Sequence, residues 1–417
     1  MTETAETTRQ EAYRPTFTLD EGPLDEVHAF WLAGMSCDGC TISAAGAQNP
    51  SVEQLLNARL PGLPRIVLHH PVLSVTAGKD FMQAHHAAKA GKLGAPYVVL
   101  FEGSVPDERI AGEFGGYWSA MGADEREGAG KQPIPTAQWL HDLAPGAAAV
   151  IAVGTCATWG GIPAAIGNVT GAMSVMDFLG EEYLSALGLP PINIPGCAPV
   201  GDNTTETIAA VLMFLAGFGP LPEFDELGRP AWLFGETVHR RCVLAGNYEE
   251  GKFAESYGER KCLVELGCWG PVVQCNIVSR GANGHMGGCM NTGGICIGCT
   301  MPGFPDAFAP FYKRPPGSLM STTLSRTTGS FVDYLRQFTL KSRNRTRRWK
   351  RDNAVPSGWA KVDGGLNPAE RMVGGVYEFL KRRRTGFSAA GSRRQRAYQN
   401  PSHAYIRKSP HDHEVER

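Results

Sequence analysis

Between residues 239 and 299 the chain places seven of its eleven cysteines together with a histidine, and this stretch constrains everything else about it. In order the donors are His239, Cys242, Cys262, Cys268, Cys275, Cys289, Cys296 and Cys299, two sets of four. Cys37, Cys40, Cys156 and Cys197 make a third set upstream. Eleven thiols and one imidazole give the twelve donors that three four-ligand iron–sulfur clusters require, with no cysteine left over. The surrounding residues 220–312 are rich in Gly and Pro and lack strong periodicity. Metal ligation must therefore supply the order that a large apolar core does not.

At 417 residues the chain exceeds one hydrophobic core, which predicts two domains and an extension. The formal net charge of −1 hides a split: residues 313–417 carry 23 Lys/Arg against 8 Asp/Glu, and the remainder carries 17 against 33. The body is acidic and the tail basic. An odd cysteine count, at spacings unlike a small secreted scaffold, argues for metal ligation in a reducing compartment rather than disulfides. The first 22 residues show no basic and apolar leader pattern and no twin arginine, and nothing approaches the ~20 apolar residues of a membrane span. The expected location is cytoplasmic.

Short apolar runs at Val27–Leu32, Arg65–Leu68, Tyr97–Phe101, Ala147–Val153 and Leu189–Ile194 read as strands. Helix-length segments lie between and after them, at Phe81–Ala90, Thr136–Leu143 and Thr204–Phe218. This alternation predicts an α/β fold around a parallel sheet. Such sheets gather ligands outside the carboxyl ends of their strands, so the cysteine loops after the first, fourth and fifth runs are expected to meet at one edge. The domain boundary is expected near residue 220.

Taken singly the motifs leave alternatives open. Cys37-x-x-Cys40 serves zinc, redox dithiols and clusters alike. Cys156 in GTCATWGG and Cys197 in PGCAP would each pass for a small buried hydrophobe, but glycines beside them let backbone N–H groups approach a cluster. His239, Cys242, Cys262 and Cys268 would suit a Cys₃His zinc site, and Cys275, Cys289, Cys296 and Cys299 a Cys₄ ribbon. Three four-ligand sites in one chain favour a relay of redox centres over structural zinc.

The order W-L-x(4)-C-x-x-C, E-G-x-x-P, G-T-C-A-x-x-G-G, P-G-C, H-x-x-C, C-x(5)-C-x-G-P and C-I-G-C closely resembles the small subunit of a [NiFe] hydrogenase, over roughly residues 26–306. The resemblance implies a flavodoxin-like domain 23–219 holding a proximal cluster and a domain 220–312 holding medial and distal clusters; composition and charge set off a polar, flexible segment 1–22 and a basic C-terminal extension 313–417. It implies three 4Fe-4S clusters. The proximal ligands would be Cys37, Cys40, Cys156 and Cys197; the distal ones His239, Cys242, Cys262 and Cys268; the medial ones Cys275, Cys289, Cys296 and Cys299. It implies electron transfer for H₂ oxidation, a partner large subunit with the Ni-Fe site, and an acceptor that the sequence does not identify. No catalytic residue is expected in this chain, with Glu102 kept as a candidate for proton transfer beside its plainer capping role.

Several positions depart from the family pattern. Cys289 stands where many members carry proline and bind a three-iron cluster, so a four-iron medial cluster is expected. Gly39 and Ala164 stand where membrane-bound oxygen-tolerant members have two further cysteines. Asp38, inside the first C-x-x-C, resembles the actinobacterial-type, high-affinity subgroup, in which an aspartate ligates the proximal cluster; it can replace Cys37 or Cys40. The tail interleaves Trp349, Tyr377, Phe379, Phe387, Tyr398 and Tyr405 with arginines, which suggests an interface joining two heterodimers. The rivals are the cluster subunit of a respiratory complex, which leaves eight donors unexplained, and a zinc-stabilised nucleic-acid-binding protein, which the acidic body and absent stacking motif disfavour.

Overall fold

The structure is a computed structural model and describes residues 24–57, 59–126, 130–180, 182–315, 318–320, 322–326 and 328–329. The chain forms two compact units: one of residues up to Pro230 together with Cys299–Ala307, the other of Ala231–Gly298 and the segment from Phe308. The aromatic residues singled out in the basic tail lie outside the described residues.

The first unit is built on a five-stranded sheet. Its strands are β1 (Glu26–Ala33), β2 (Arg65–His69), β3 (Tyr97–Glu102), β6 (Ala149–Val153) and β7 (Ile192–Ile194), in the order β2-β1-β3-β6-β7 and parallel throughout. Counting only these strands, that is the flavodoxin-like order 2-1-3-4-5. All five predicted runs are strands: β1, β3, β6 and β7 are apolar stretches buried almost throughout, as parallel sheets require, while β2 at the edge is only partly buried. One face packs Phe30, Leu32, Val99, Phe101, Val150 and Ala152 against helices α2 (Gly78–Lys89) and α3 (Thr136–Leu143) through Phe81, Met82, Trp139 and Leu140. The opposite face packs Ala29, Trp31, Leu100 and Ile151 against α1 (Gly39–Ala45) and α5 (Gly201–Leu215) through Ala44, Ile208, Val211 and Leu212. Each of the Val, Leu, Ile, Phe and Met side chains among them contributes about 1.5–3 kcal/mol through burial.

An antiparallel hairpin of β4 (Ala120–Arg126) and β5 (Gly130–Pro135) was not legible in the sequence. Its strands are polar and carry Pro and Gly, so they lack the alternation that marks a half-buried strand. Residues 220–230, which composition assigns to the second domain, stay with the first. The Asn193 amide donates to the Gly228 carbonyl at 2.8 Å and its side chain to that of Leu227 at 2.7 Å, while the fully buried Arg229 pairs with Asp225 at 2.7 Å.

The second unit has little regular structure. Single helical turns at Val238–Arg241, Ala245–Glu249 and Ile277–Arg280 are joined by isolated bridges such as Phe253 with Cys262 and Thr237 with Gln274. Among the described residues, one small apolar cluster of this unit gathers Phe253, Cys262 and Val264, with Tyr248 against it.

Candidate iron–sulfur centres

Cys37 and Cys40 follow β1, Cys156 lies in α4 (Gly154–Trp159) after β6, and Cys197 follows β7. All three loops leave the carboxyl ends of their strands. Burial raises the Cys40 thiol far above the usual range, and the charges of Glu102, Cys156, Cys37 and Cys197 push it further, which places the four sulfurs in one neighbourhood. Burial pushes Cys156 up to about 11, with Cys197 and Cys37 adding to it. Thiolates gathered in this way need cations to compensate them.

Two glycines form the wall of this cradle. A Cβ on Gly154 would stand 2.3 Å from Cys40 Sγ, and one on Gly161 would stand 2.8 Å from Cys156 Sγ. Both adopt positive φ, +87° and +56°, so glycine answers to two demands at once.

Glu102, 1 % exposed, organises the floor. One carboxylate oxygen accepts from Ser36 Oγ at 2.9 Å, the Cys40 amide at 3.1 Å and the Thr41 amide at 3.3 Å. The other accepts from Trp31 Nε1 at 2.9 Å and from the Thr41 hydroxyl. The two amides belong to the first turn of α1, whose N–H groups have no partner within the helix. Behind Thr41, His70 Nδ1 accepts from the Val72 and Leu73 amides at 3.0 and 3.2 Å, so its proton resides on Nε2, which faces the Thr41 hydroxyl at 3.0 Å. The His70 proton points to Thr41, and the Thr41 proton to Glu102. Within this chain the hydrogen bonds end on backbone amides, and the arrangement holds Cys40 in position.

Asp38 sits at the start of α1 in the left-handed region, φ 58°, and its side chain makes no capping hydrogen bond; its amide donates to Ser36 Oγ at 3.0 Å. Thr155 accepts from the Gly196 amide at 2.9 Å and donates to the carbonyl of Cys299. It thereby joins the loops of Cys156 and Cys197 to the last cysteine of the CIGC motif. Sequence reading passed over Thr41 and Thr155; only the Thr155 signal was present, inside the GTC motif.

In the second unit, His239, Cys242, Cys262 and Cys268 line one pocket together with Val238, Leu263, Gly270 and Met290. Burial pushes Cys262 up to about 12, with the charges of Cys268 and Cys242 adding to it, and holds His239 down to about 4. His239 is thus a neutral imidazole with a nitrogen lone pair to offer a metal. Amides point at the sulfurs: Leu244 to Cys242 at 3.4 Å, Gly270 and Cys296 to Cys268 at 3.4 and 3.3 Å. Such N–H to sulfur bonds are typical of cluster thiolates. Among the described residues no three His, Cys, Asp or Glu side chains lie close enough to hold one metal ion. Cys275, Cys289 and Cys296 lie in the second unit, and Cys299 in the segment assigned to the first.

Comparison with known proteins covers both units. Residues 234–312 match the family of the C-terminal part of the NiFe/NiFeSe hydrogenase small subunit, and residues 37–211 match "NADH ubiquinone oxidoreductase, 20 Kd subunit". The periplasmic [NiFeSe] hydrogenase small subunit of Desulfomicrobium baculatum is 34% identical over 285 residues, 68% of this chain and 85% of that one. Among solved structures, the actinobacterial-type NiFe-hydrogenase from Ralstonia eutropha H16 is 47% identical with a TM-score of 0.72, covering 80% of this chain and 96% of that one. The D. baculatum [NiFeSe] hydrogenase is 32% identical with a TM-score of 0.61, covering 70% and 99%. The oxidoreductase match stops within the first unit, whereas these relatives extend through the second, so neither the respiratory-complex reading nor the nucleic-acid reading is supported. With cysteine loops, pocket and relatives in agreement, the chain belongs to the [NiFe] and [NiFeSe] hydrogenase small subunits, the electron-transfer partners of a large subunit that holds the catalytic Ni–Fe site.

Proposed function

We propose that this small subunit holds three 4Fe-4S clusters: proximal on Cys37, Cys40, Cys156 and Cys197, medial on Cys275, Cys289, Cys296 and Cys299, distal on His239, Cys242, Cys262 and Cys268. When bound, such clusters accept and release single electrons, so that a wire of three can carry the electrons of H₂ oxidation away from the Ni–Fe site. The observation that carries the assignment is the glycine-walled gathering of four thiols at the carboxyl ends of β1, β6 and β7. The chain's own residues do the holding: Glu102 fixes the turn of Cys40, Thr155 ties Cys156 and Cys197 to Cys299, and backbone amides offer hydrogen bonds to the distal sulfurs. His239 supplies a neutral donor, so the distal site carries one fewer negative ligand than its neighbours, which favours a higher potential at the exit.

Finer readings accompany this one. As the alternative to the four-cysteine proximal set, Asp38 takes the place of Cys37 or Cys40, a reading supported by its left-handed backbone, by the absence of a capping bond and by likeness to an actinobacterial-type hydrogenase. The enzyme belongs to the high-affinity subgroup, works in the cytoplasm, and pairs as a dimer of heterodimers through the basic extension. No helix among the described residues is long and apolar enough to cross a membrane.

The test is to purify the complex anaerobically and measure iron, sulfide, zinc and nickel together. Beyond the irons of the large subunit, about twelve irons and twelve sulfides per chain are expected. About eleven irons would remove the four-iron medial cluster, and zinc without sulfide would overturn the relay.

A further inference from the structure

The loop between the distal ligands Cys262 and Cys268 carries Glu265, whose side chain is only 8% exposed. Two arginines from beyond the cluster region converge on it. Arg326 reaches its carboxylate at 2.7 Å and Arg314 at 3.3 Å, and Arg314 Nε also donates to the Glu265 carbonyl at 3.2 Å. The Arg326 guanidinium lies over the Phe253 ring, 5.6 Å from its centre. Phe253 pairs with Cys262 along the backbone, and its ring meets the edge of Tyr248, which in turn packs on His239 at 4.8 Å. The segment is seated tightly: a Cβ on Gly251 would stand 2.6 Å from the Ser325 carbonyl oxygen, and one on Gly329 would stand 2.4 Å from Glu250.

We propose that the first turns of the basic extension are a working part of the distal centre, with Arg314 and Arg326 as positioning residues. They hold the Cys262–Cys268 loop from outside and brace the aromatic wall behind His239. They also set the local charge. Two guanidinium groups against one carboxylate leave a net positive charge beside the thiolates, which favours the reduced cluster. An isolated surface ion pair contributes little, but here the shared carboxylate is buried and one cation also stacks on an aromatic ring. The inference rests on the assignment of Cys262 and Cys268 to the distal cluster.

The experiment compares wild type, Arg314→Ala/Arg326→Ala, the same double with Glu265→Gln, and Arg314→Lys/Arg326→Lys, all as full-length complex with the large subunit. The charge of this triad is +1 in wild type, −1 in the double alanine variant and 0 in the triple. The midpoint potential of the distal cluster is therefore expected to fall in the double variant and recover partway in the triple, with the lysine pair near wild type. H₂-driven dye reduction should fall about tenfold in the double variant, equivalent to about 1.4 kcal/mol. Isotope exchange between D₂ and water, which needs no electron to leave, should be unchanged. Selective loss of the distal cluster alone would equally support the positioning role. A wild-type potential and rate in the double alanine variant would overturn the proposal, and so would loss of every cluster in both the alanine and lysine pairs. A wild-type complex without a histidine-ligated cluster would instead overturn the distal assignment.

Discussion

Gly154→Ala tests the proximal cradle at its narrowest point. The new Cβ would lie 2.3 Å from Cys40 Sγ, where about 3.5–4.0 Å is a comfortable separation, so one of the two must move by more than ~1 Å. Holding alanine at a φ of +87° adds about 1–2 kcal/mol and overpacking about 1–3 kcal/mol, a combined loss of about 2–5 kcal/mol. At about 2–4 °C per kcal/mol for a unit of this size, the melting temperature should drop by about 4–20 °C. The proximal cluster should be lost with it, because Cys40 is displaced, taking the small subunit's iron from about twelve to about eight. Gly167→Ala is the control: its φ is +95° but a Cβ there meets nothing within 4 Å, so it carries the backbone cost alone and should retain full iron. Iron and sulfide analysis beside H₂-dependent dye reduction reads both variants. A Gly154→Ala complex with full iron and wild-type turnover would refute the reasoning that this glycine exists to admit the sulfur.

Glu102→Gln keeps the shape of the side chain but turns one acceptor into a donor that faces Trp31 and Thr41, or Ser36, Cys40 and Thr41; a loss of about 2–4 kcal/mol is expected, checked by denaturant unfolding, and an unchanged midpoint would deny Glu102 its organising role. His85 is fully buried, with burial holding its pKa down to about 4 and its Nε2 without a partner. Below about 6.5 the unfolded chain takes a proton that the folded chain refuses, so stability is intact above that pH and falls as pH drops toward 4, by at most about 3 kcal/mol. His85→Leu should flatten that acid limb in pH-dependent melting; an equally steep limb would place the loss elsewhere.

Much of this could be read from the chain itself. Five apolar runs became the five parallel strands, four of them buried almost throughout; the predicted helix Thr136–Leu143 appears with those ends, and Phe81–Ala90 and Thr204–Phe218 appear with shifted ends, as Gly78–Lys89 and Gly201–Leu215. The hairpin of β4 and β5 escaped notice because its pairing is held by backbone hydrogen bonds that polar side chains do not advertise. Donor counting found the cysteines and His239, since ligand chemistry is written in residue type. The support beneath them was not legible: Glu102 was singled out, but its five donors come from Trp31, Ser36, Cys40 and Thr41, more than sixty positions away.

The sequence by itself determined the layered α/β unit and the number and kind of candidate metal donors, because hydrophobic patterning and donor chemistry are local properties. Only the tertiary structure decided that the loops after β1, β6 and β7 share one cradle, that glycine at 154 is demanded by a sulfur, and that Arg314 and Arg326 reach back to Glu265 between Cys262 and Cys268. The physical reason is chain topology. Contacts between residues far apart in sequence exist only once the sheet order in the first unit, and the winding of the chain in the second, have brought their backbones together.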